Sequence, residues 1–439
     1  MHTELEFDEL RPPFDPIEAV VEADRCLECG GPHAPAPCSV ACPAGIDVAR
    51  FVAQIADEDP EAAAQTIFAE NLLGGTCARV CPVEVLCEGA CVLERDGRPP
   101  IAIGALQRYA TDWALVRGLP LREKASSTGR RVVVIGAGPA GLSCAGELAA
   151  RGHAVTIFDE RDEIGGLVRY AIAPYRQVSE PLPDEAHALR QLGVELRLGL
   201  RVGSREELEA LTEDADAVFL GVGLGPDTAV PCPGDGLTGV WESLPFIEAI
   251  KTGHSPTVGR TVVVVGGGNT AIDVAREALR LGASDVTLLY RRTKNEMPAY
   301  AHEVEEARDE GVHFRFLAAP VAFVGGGRLE GVTCIEMALG EPDDSGRRRP
   351  VPIEGSEFTL LADTAVKALG QQSRDELADW VDGLVFVRGQ VDVDTDGRTG
   401  NPRFFCGGDA VSGGTSVVEA VRDGKRAAAA IDWELRCRS

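Results

Sequence analysis

A strand, a glycine-rich loop and a helix follow one another twice in this chain, about 130 residues apart. Arg131–Ile135 carries a continuous β-branched run, as a parallel strand buried on both faces requires. It leads into Gly136-Ala137-Gly138-Pro139-Ala140-Gly141, a helical stretch, and a second strand at Ala154–Phe158. The pattern returns as Thr261–Val265, then Gly266-Gly267-Gly268-Asn269-Thr270-Ala271, a helix to Leu281 and a strand at Asp285–Tyr290. Each is a βαβ unit, and two of them imply an α/β protein with two doubly wound domains.

The loops point to nucleotides. In G-x-G-x-x-G the first glycine permits a tight turn, and the second lets the backbone approach a pyrophosphate. The third lets the helix pack on its strand, with the helix N-terminus facing the phosphates. Asp159 ends the strand that follows Gly141 and its helix, the place where an acid binds ribose hydroxyls. A glycine-rich turn is the plain alternative, but strand, helix and acid together favour a dinucleotide site at Gly136, Gly138, Pro139, Ala140, Gly141 and Asp159. The second loop, with Gly266, Gly268, Asn269, Thr270 and Ala271, reads G-x-G-x-x-A. Its strand ends in Arg291-Arg292 instead of an acid. Guanidinium groups grip a ribose phosphate bidentately, so NADPH is expected over NADH. A solvated basic strand end is the alternative.

Composition narrows the partners. The 439 residues carry a formal charge of −26, which opposes nucleic acid or an anionic membrane as a partner. At 44% hydrophobic the chain can bury large cores, and its length corresponds to about three domains. The opening Met1–Leu10 is acidic and has no apolar run, so a cytoplasmic protein without a secretory signal is expected. The apolar stretch Val132–Ala150 holds glycines, a proline and Glu147, and belongs to the first βαβ unit rather than to a membrane span.

Thirteen cysteines are present, eight of them at or before Cys91. A short secreted disulfide scaffold does not fit a chain of this kind, so clustered thiols point to metal. Their spacing is C-x2-C-x8-C-x3-C-P from Cys26 to Pro43, then C-x3-C-P-x4-C-x3-C from Cys77 to Cys91. Zinc accepts four thiolates too. Proline directly after Cys42 and Cys81, beside a nucleotide fold, favours iron–sulfur clusters. The later cysteines stand far apart, the nearest two being Cys406 and Cys437, so the close redox pair of flavin disulfide reductases is not expected. The histidines show no metal-type pairing.

Near the C-terminus, Phe405-Cys406-Gly407-Gly408-Asp409 precedes Thr415-Ser416-Val417 and a helical run to Ile431. This resembles flavoproteins with two dinucleotide domains, as does Gly165-Gly166 after Asp159. The resemblance implies FAD in the first domain, with Gly166, Leu167, Gly408, Asp409, Thr415, Ser416 and Val417 at the flavin, and the nicotinamide domain inserted. The expected divisions are a helical iron–sulfur domain over 1–125, FAD-binding parts over 126–225 and 371–439, and an NAD(P)H-binding domain over 226–370.

A more specific resemblance rests on Arg25-Cys26-Leu27-Glu28-Cys29, Leu73-Gly74-Gly75-Thr76-Cys77-Ala78-Arg79-Val80-Cys81-Pro82 and Ile101-Ala102-Ile103-Gly104-Ala105-Leu106-Gln107-Arg108. These stretches resemble the N-terminal domain of dihydropyrimidine dehydrogenase and its stand-alone electron-input subunit. The wider group includes the glutamate synthase small subunit and subunits of NADPH–ferredoxin oxidoreductases. In the pyrimidine enzymes one cluster has a glutamine ligand at a fixed spacing after the last cysteine, and Gln107 stands at that spacing from Cys91. The resemblance therefore implies two 4Fe–4S clusters, one on Cys26, Cys29, Cys38 and Cys91, the other on Cys42, Cys81, Cys87 and Gln107, leaving Cys77 free. The loop between Cys29 and Cys38, Gly30 to Pro37, is longer than the family's. The flavin-side segment Ile172-Ala173-Pro174-Tyr175-Arg176 keeps the family's arginine, Arg176, but shifts the proline. Lys294-Asn295-Glu296-Met297-Pro298 resembles a family loop of open role.

The implied activity is transfer of electrons from NAD(P)H through FAD and the clusters to an FMN- and cluster-containing partner subunit, or to a ferredoxin, within a hetero-oligomer. No acid–base residue is expected to be needed. A glutamate synthase small subunit is the nearer alternative, although its second cysteine set typically reads C-x3-C-x3-C where Cys81, Cys87 and Cys91 read C-x5-C-x3-C. A zinc- and nucleotide-binding regulatory protein is the alternative of another class.

Overall fold

A computed structural model describes residues 7, 9, 12–31, 34–177, 181–342 and 346–437, so most of the acidic opening stretch, Met1–Leu10, lies outside the described residues. The chain forms two compact units. The first takes 9–172, 176–224 and 373–439; the second takes 225–372 and the short segment Ala173–Tyr175.

The first unit opens with helices that begin where the sequence supplies caps. Asp15 and Glu18 form a capping box on Pro16–Ala23, Asp47 caps Val48–Ala56, and Asp59 caps Pro60–Glu70. The longer helix Ile103–Val116 buries Ile103, Leu106, Ala110 and Ala114. These helices have no core of their own. Phe51, Ile67 and Leu106 share one apolar cluster with Val132, Val134, Leu148 and Ile431 of the following α/β layer. The connection at 125–129 is bonded down, with Ala125 N–H donating to Ala150 O and Thr128 N–H to Gly152 O.

The α/β layer is an all-parallel five-stranded sheet, ordered Phe404–Cys406, Ala217–Leu220, Arg131–Ile135, Ala154–Phe158 and Glu195–Arg197. Phe405 pairs with Phe219, so the chain's last strand closes the sheet begun at Arg131. The helices Pro139–Ala150 and Val417–Cys437 meet closely: a Cβ on Gly424 would stand 2.1 Å from Ala140 O.

The second unit holds a second parallel sheet, ordered Val240–Glu242, Thr364–Lys367, Thr261–Val265, Asp285–Tyr290 and His313–Phe316. It also carries a four-stranded antiparallel sheet from Ala318–Val324, Gly331–Pro342, Arg348–Pro352 and Phe358–Leu361, which no sequence pattern announces. The nicotinamide-type domain is thus an insertion in the first. No described helix is long and apolar enough to cross a membrane.

Candidate cofactor and cluster sites

At the first glycine loop, packing explains the motif. A Cβ on Gly141 would stand 1.9 Å from Gly136 O, and one on Gly136, at φ +104°, would stand 2.3 Å from Gly221 O. Gly138 is different: a Cβ there would meet nothing within 4 Å, so its bareness leaves room for a ligand's approach. The helix Pro139–Ala150 starts at Gly138 without a side-chain cap, which leaves first-turn N–H groups for an anion. Asp159 accepts from Ala137 N–H at 2.6 Å and from Arg161 N–H at 2.8 Å, while burial raises its pKa. Its remaining lone pairs suit ribose hydroxyls.

Of the other residues expected at the flavin, Gly165, Gly166 and Gly408 lie against this loop. Gly165 N–H donates to Ala137 O at 2.8 Å, and a Cβ on Gly166 would lie 3.1 Å from Gly138 Cα. Leu167 opens the next short helix, Leu167–Tyr170. Gly408 lies against Ala140, and its N–H donates to Asp423 at 3.3 Å. Asp409, its carboxyl raised by burial, accepts from Thr415 N–H at 3.4 Å. Ser416 and Glu419 cap each other at the start of Val417–Cys437, with the Ser416 hydroxyl donating to Glu419 at 2.9 Å. Arg176 ends the turn Pro174–Arg176 and is half-buried.

The second loop repeats the design. Gly266, at φ +149°, packs under Ala368 O, and Gly268 is open on its Cβ side. The helix Asn269–Arg280 also begins without a side-chain cap; Ala271 N–H is taken by Gly268 O at 3.0 Å, which leaves the turn at Asn269 and Thr270 for phosphate. Asn269 Oδ1 accepts from Tyr300 N–H at 2.9 Å, Ala299 N–H donates to Gly267 O, and the Tyr290 hydroxyl donates to Glu296 O at 2.8 Å. The Lys294–Pro298 loop and the residues after it therefore close over this glycine loop, a role the sequence left open. The two arginines diverge. Arg291 is exposed at the strand end, whereas Arg292 is 4% exposed and its Nε donates to Arg348 O at 2.8 Å.

The cysteines form two adjacent groups. Cys26, Cys29, Cys38 and Cys91 line one small cavity, partly open to solvent, with Val48, Val52, Ile101 and Ile103. The lengthened loop after Cys29, two of whose residues (32–33) lie outside the described residues, still delivers Cys38 to this wall. Burial pushes the Cys38 thiol up to about 11 and raises Cys26. Bare thiolates are disfavoured there unless cationic charge compensates, which is what iron supplies. Among the described residues no three His, Cys, Asp or Glu side chains converge as on a single metal ion; the four thiols surround a volume instead.

Cys42, Cys77, Cys81 and Cys87 form the second group. The Cys77 and Cys81 thiols are hydrogen-bonded, which with burial raises Cys81 well above the usual thiol range. Burial also raises Cys42 and Cys87. The structure thus brings in Cys77, which the family pattern leaves out. Gln107 is buried, and its Nε2 donates to Gly74 O at 2.8 Å, so the amide oxygen is the end left to coordinate. The donor sets suit iron–sulfur clusters, and the bare loops suit dinucleotide phosphates.

Comparison with known proteins agrees. Residues 3–119 match the family described as dihydropyrimidine dehydrogenase domain II, 4Fe–4S cluster, and residues 130–424 match pyridine nucleotide-disulphide oxidoreductase. The chain is 37% identical to the glutamate synthase [NADPH] small chain of Halomonas elongata, across 96% of this chain and 92% of that one. For the Escherichia coli small chain the identity is 36%, across 98% and 94%. It is 40% identical to the beta subunit of the NADP(+)-dependent formate dehydrogenase of Moorella thermoacetica, across 92% of this chain but only 60% of the relative. In fold, 70% of the chain resembles Mycobacterium tuberculosis FprA in complex with NADPH, covering 85% of that chain (TM-score 0.59, 20% identity). The oxidoreductase relatives set aside the zinc-bearing regulatory reading. The chain belongs to the glutamate synthase small-chain-like family and is an NAD(P)H-dependent FAD and 4Fe–4S oxidoreductase.

Proposed function

We propose that this chain is an electron-input subunit holding two 4Fe–4S clusters, and that it serves a separate partner. The supporting observation is that cysteines of both groups, Cys26, Cys38 and Cys91 in one and Cys42, Cys77, Cys81 and Cys87 in the other, lie in or against the same apolar core as the FAD-type sheet. Bound at these sites, the nicotinamide supplies a hydride, the flavin accepts it as two electrons, and the clusters carry electrons singly. The chain's own work is binding and orientation. Bare helix N-termini at Gly138 and Gly268 take the phosphates, and Asp159 and Asp409 take hydroxyl groups. Arg291 takes the 2′-phosphate of NADPH. Cys26, Cys29, Cys38 and Cys91 hold one cluster; Cys42, Cys81, Cys87 and Gln107 hold the other.

Two partners fit. An FMN- and cluster-containing subunit of dihydropyrimidine dehydrogenase type is supported by Gln107 and by the C-x5-C-x3-C spacing. A glutamate synthase large subunit is supported by relatives called small chains, which this chain matches over 92% and 94% of their length. A ferredoxin is a third acceptor of the same kind. The purified chain is expected to reduce artificial dyes with NADPH while leaving uracil and thymine untouched. Adding each candidate partner then shows which one starts turnover. Pyrimidine reduction by the chain alone overturns the subunit reading.

A further inference from the structure

One turn of the C-terminal helix touches both redox ends of the first unit. Asp423 accepts the Gly408 N–H at 3.3 Å, beside Asp409. Gly424 lies on the backbone of Ala140 in the first glycine loop, where a Cβ would be 2.1 Å from the carbonyl oxygen. Lys425 turns the other way. Its Nζ donates to Ala44 O at 3.0 Å and to Glu70 O at 3.2 Å, and it pairs with the Glu70 carboxylate. Ala44 follows Cys42-Pro43, and the Gly45 N–H turns back onto Cys42, donating to its carbonyl oxygen at 3.0 Å. The carbonyl held by Lys425 and the Gly45 N–H belong to the same peptide group. An ammonium on that carbonyl polarises the peptide and places positive charge at the turn that carries the Cys42 sulfur.

We propose that Asp423-Gly424-Lys425 is a rigid spacer between the flavin loop and the Cys42 cluster. Lys425 is a positioning residue in it whose charge raises that cluster's midpoint potential. The inference rests on the two-cluster reading above. Cluster potentials follow local charge and hydrogen bonds to sulfur, so a cation one peptide away stabilises the state with the extra electron. In the step concerned, reduced flavin passes one electron to the oxidised cluster. The pair that arrived with the NADPH hydride leaves in two such transfers, and the flavin's protons return to solvent.

The test is an EPR-monitored redox titration of anaerobically purified holoenzyme, with stopped-flow reduction by NADPH, on wild type, Lys425→Met, Lys425→Arg and Glu70→Gln. The expected result has opposite signs: Lys425→Met lowers the potential of one cluster, Glu70→Gln raises it, and the other cluster keeps its own. Lys425→Arg stays near wild type. In Lys425→Met the flavin is reduced at the wild-type rate, while the following cluster reduction slows about tenfold or more. A merely structural tie moves Lys425→Met and Glu70→Gln in the same direction, or moves neither, and that overturns the inference. If Lys425→Met does not fold, Glu70→Gln alone decides by the sign of its shift. Wild type with a single cluster signal defeats the two-cluster reading itself, and is distinguishable from both outcomes.

Discussion

The Tyr175 hydroxyl donates to Asp273 Oδ1 across 2.6 Å, and the guanidinium groups of Arg276 and Arg280 lie 4.8 and 4.4 Å from its ring centre. Both arginines pair with Glu310 at 2.7 Å, so the phenol sits in a braced cationic clamp. Tyr175 is fully buried in the inserted unit, yet Arg176 beside it belongs to the other. Tyr175→Phe is expected to cost about 0.5–1.5 kcal/mol by removing the hydroxyl's bond to Asp273. Tyr175→Ala is expected to cost about 3–5 kcal/mol through the lost ring. Urea denaturation followed by fluorescence reads both; equal small effects would remove the clamp from the stability of this unit.

Gly141→Ala tests the flavin loop. A Cβ 1.9 Å from Gly136 O meets backbone, so the loop must open rather than a side chain yield. FAD content after purification is expected to fall about tenfold or more, with iron content retained. Full flavin occupancy in the variant would show that the loop accommodates the methyl group.

The diverging arginines separate two effects. Arg291→Ala is expected to weaken NADPH binding roughly ten- to hundredfold, with NADH little changed, because a charge-assisted bond contributes about 1.5–3 kcal/mol. Arg292→Ala removes a bond to the backbone at Arg348 and is expected to lower stability for either nucleotide. Equal loss of NADPH and NADH in Arg291→Ala would take Arg291 away from the phosphate.

Glu185 is fully buried and accepts from Thr76 N–H at 3.0 Å and from the Thr76 hydroxyl at 2.6 Å. Desolvation outweighs these bonds and pushes its carboxyl up to about 7. The native state therefore binds the proton more tightly than the unfolded chain. The resulting stabilisation is full below the ordinary glutamate range and is lost as pH rises toward about 7. Unfolding midpoints of wild type are expected to fall between about pH 4.5 and 7, and Glu185→Gln is expected to flatten that slope. An unchanged slope in the variant would assign the effect to other groups.

Much of this architecture is legible because it is local. Five-residue β-branched runs such as Thr261–Val265 fit only a doubly covered parallel strand, and glycine loops announce their own turns. The antiparallel sheet is hidden because strands such as Arg348–Pro352 are largely exposed on both faces, so no clear alternation marks them. The remaining features depend on partners distant in sequence. Tyr175 meets Asp273 in another segment of the chain, and Lys425 near the C-terminus meets Ala44 near the start. No spacing or composition in either neighbourhood signals these meetings. The family pattern leaves Cys77 out, although the helix Gly74–Val80 sets it one turn from Cys81, an i, i+4 placement that is local.

That disagreement gives a ligand test. Gln107→Ala is expected to abolish or alter the EPR signal of one cluster, and Cys77→Ser is expected to leave both signals intact. The reverse pattern would make Cys77 the fourth ligand and Gln107 a buried helix residue bonded to Gly74.

The most direct measurement is anaerobic titration of the purified chain with NADPH, followed by visible absorption and low-temperature EPR on the same samples. Flavin and iron–sulfur absorption are expected to bleach together, with EPR signals from reduced 4Fe–4S clusters integrating to about two spins per chain once reductant is in excess. Colourless protein with stoichiometric zinc, or flavin bleaching with no cluster signal at any potential, would contradict electron flow from NADPH through FAD to iron–sulfur clusters.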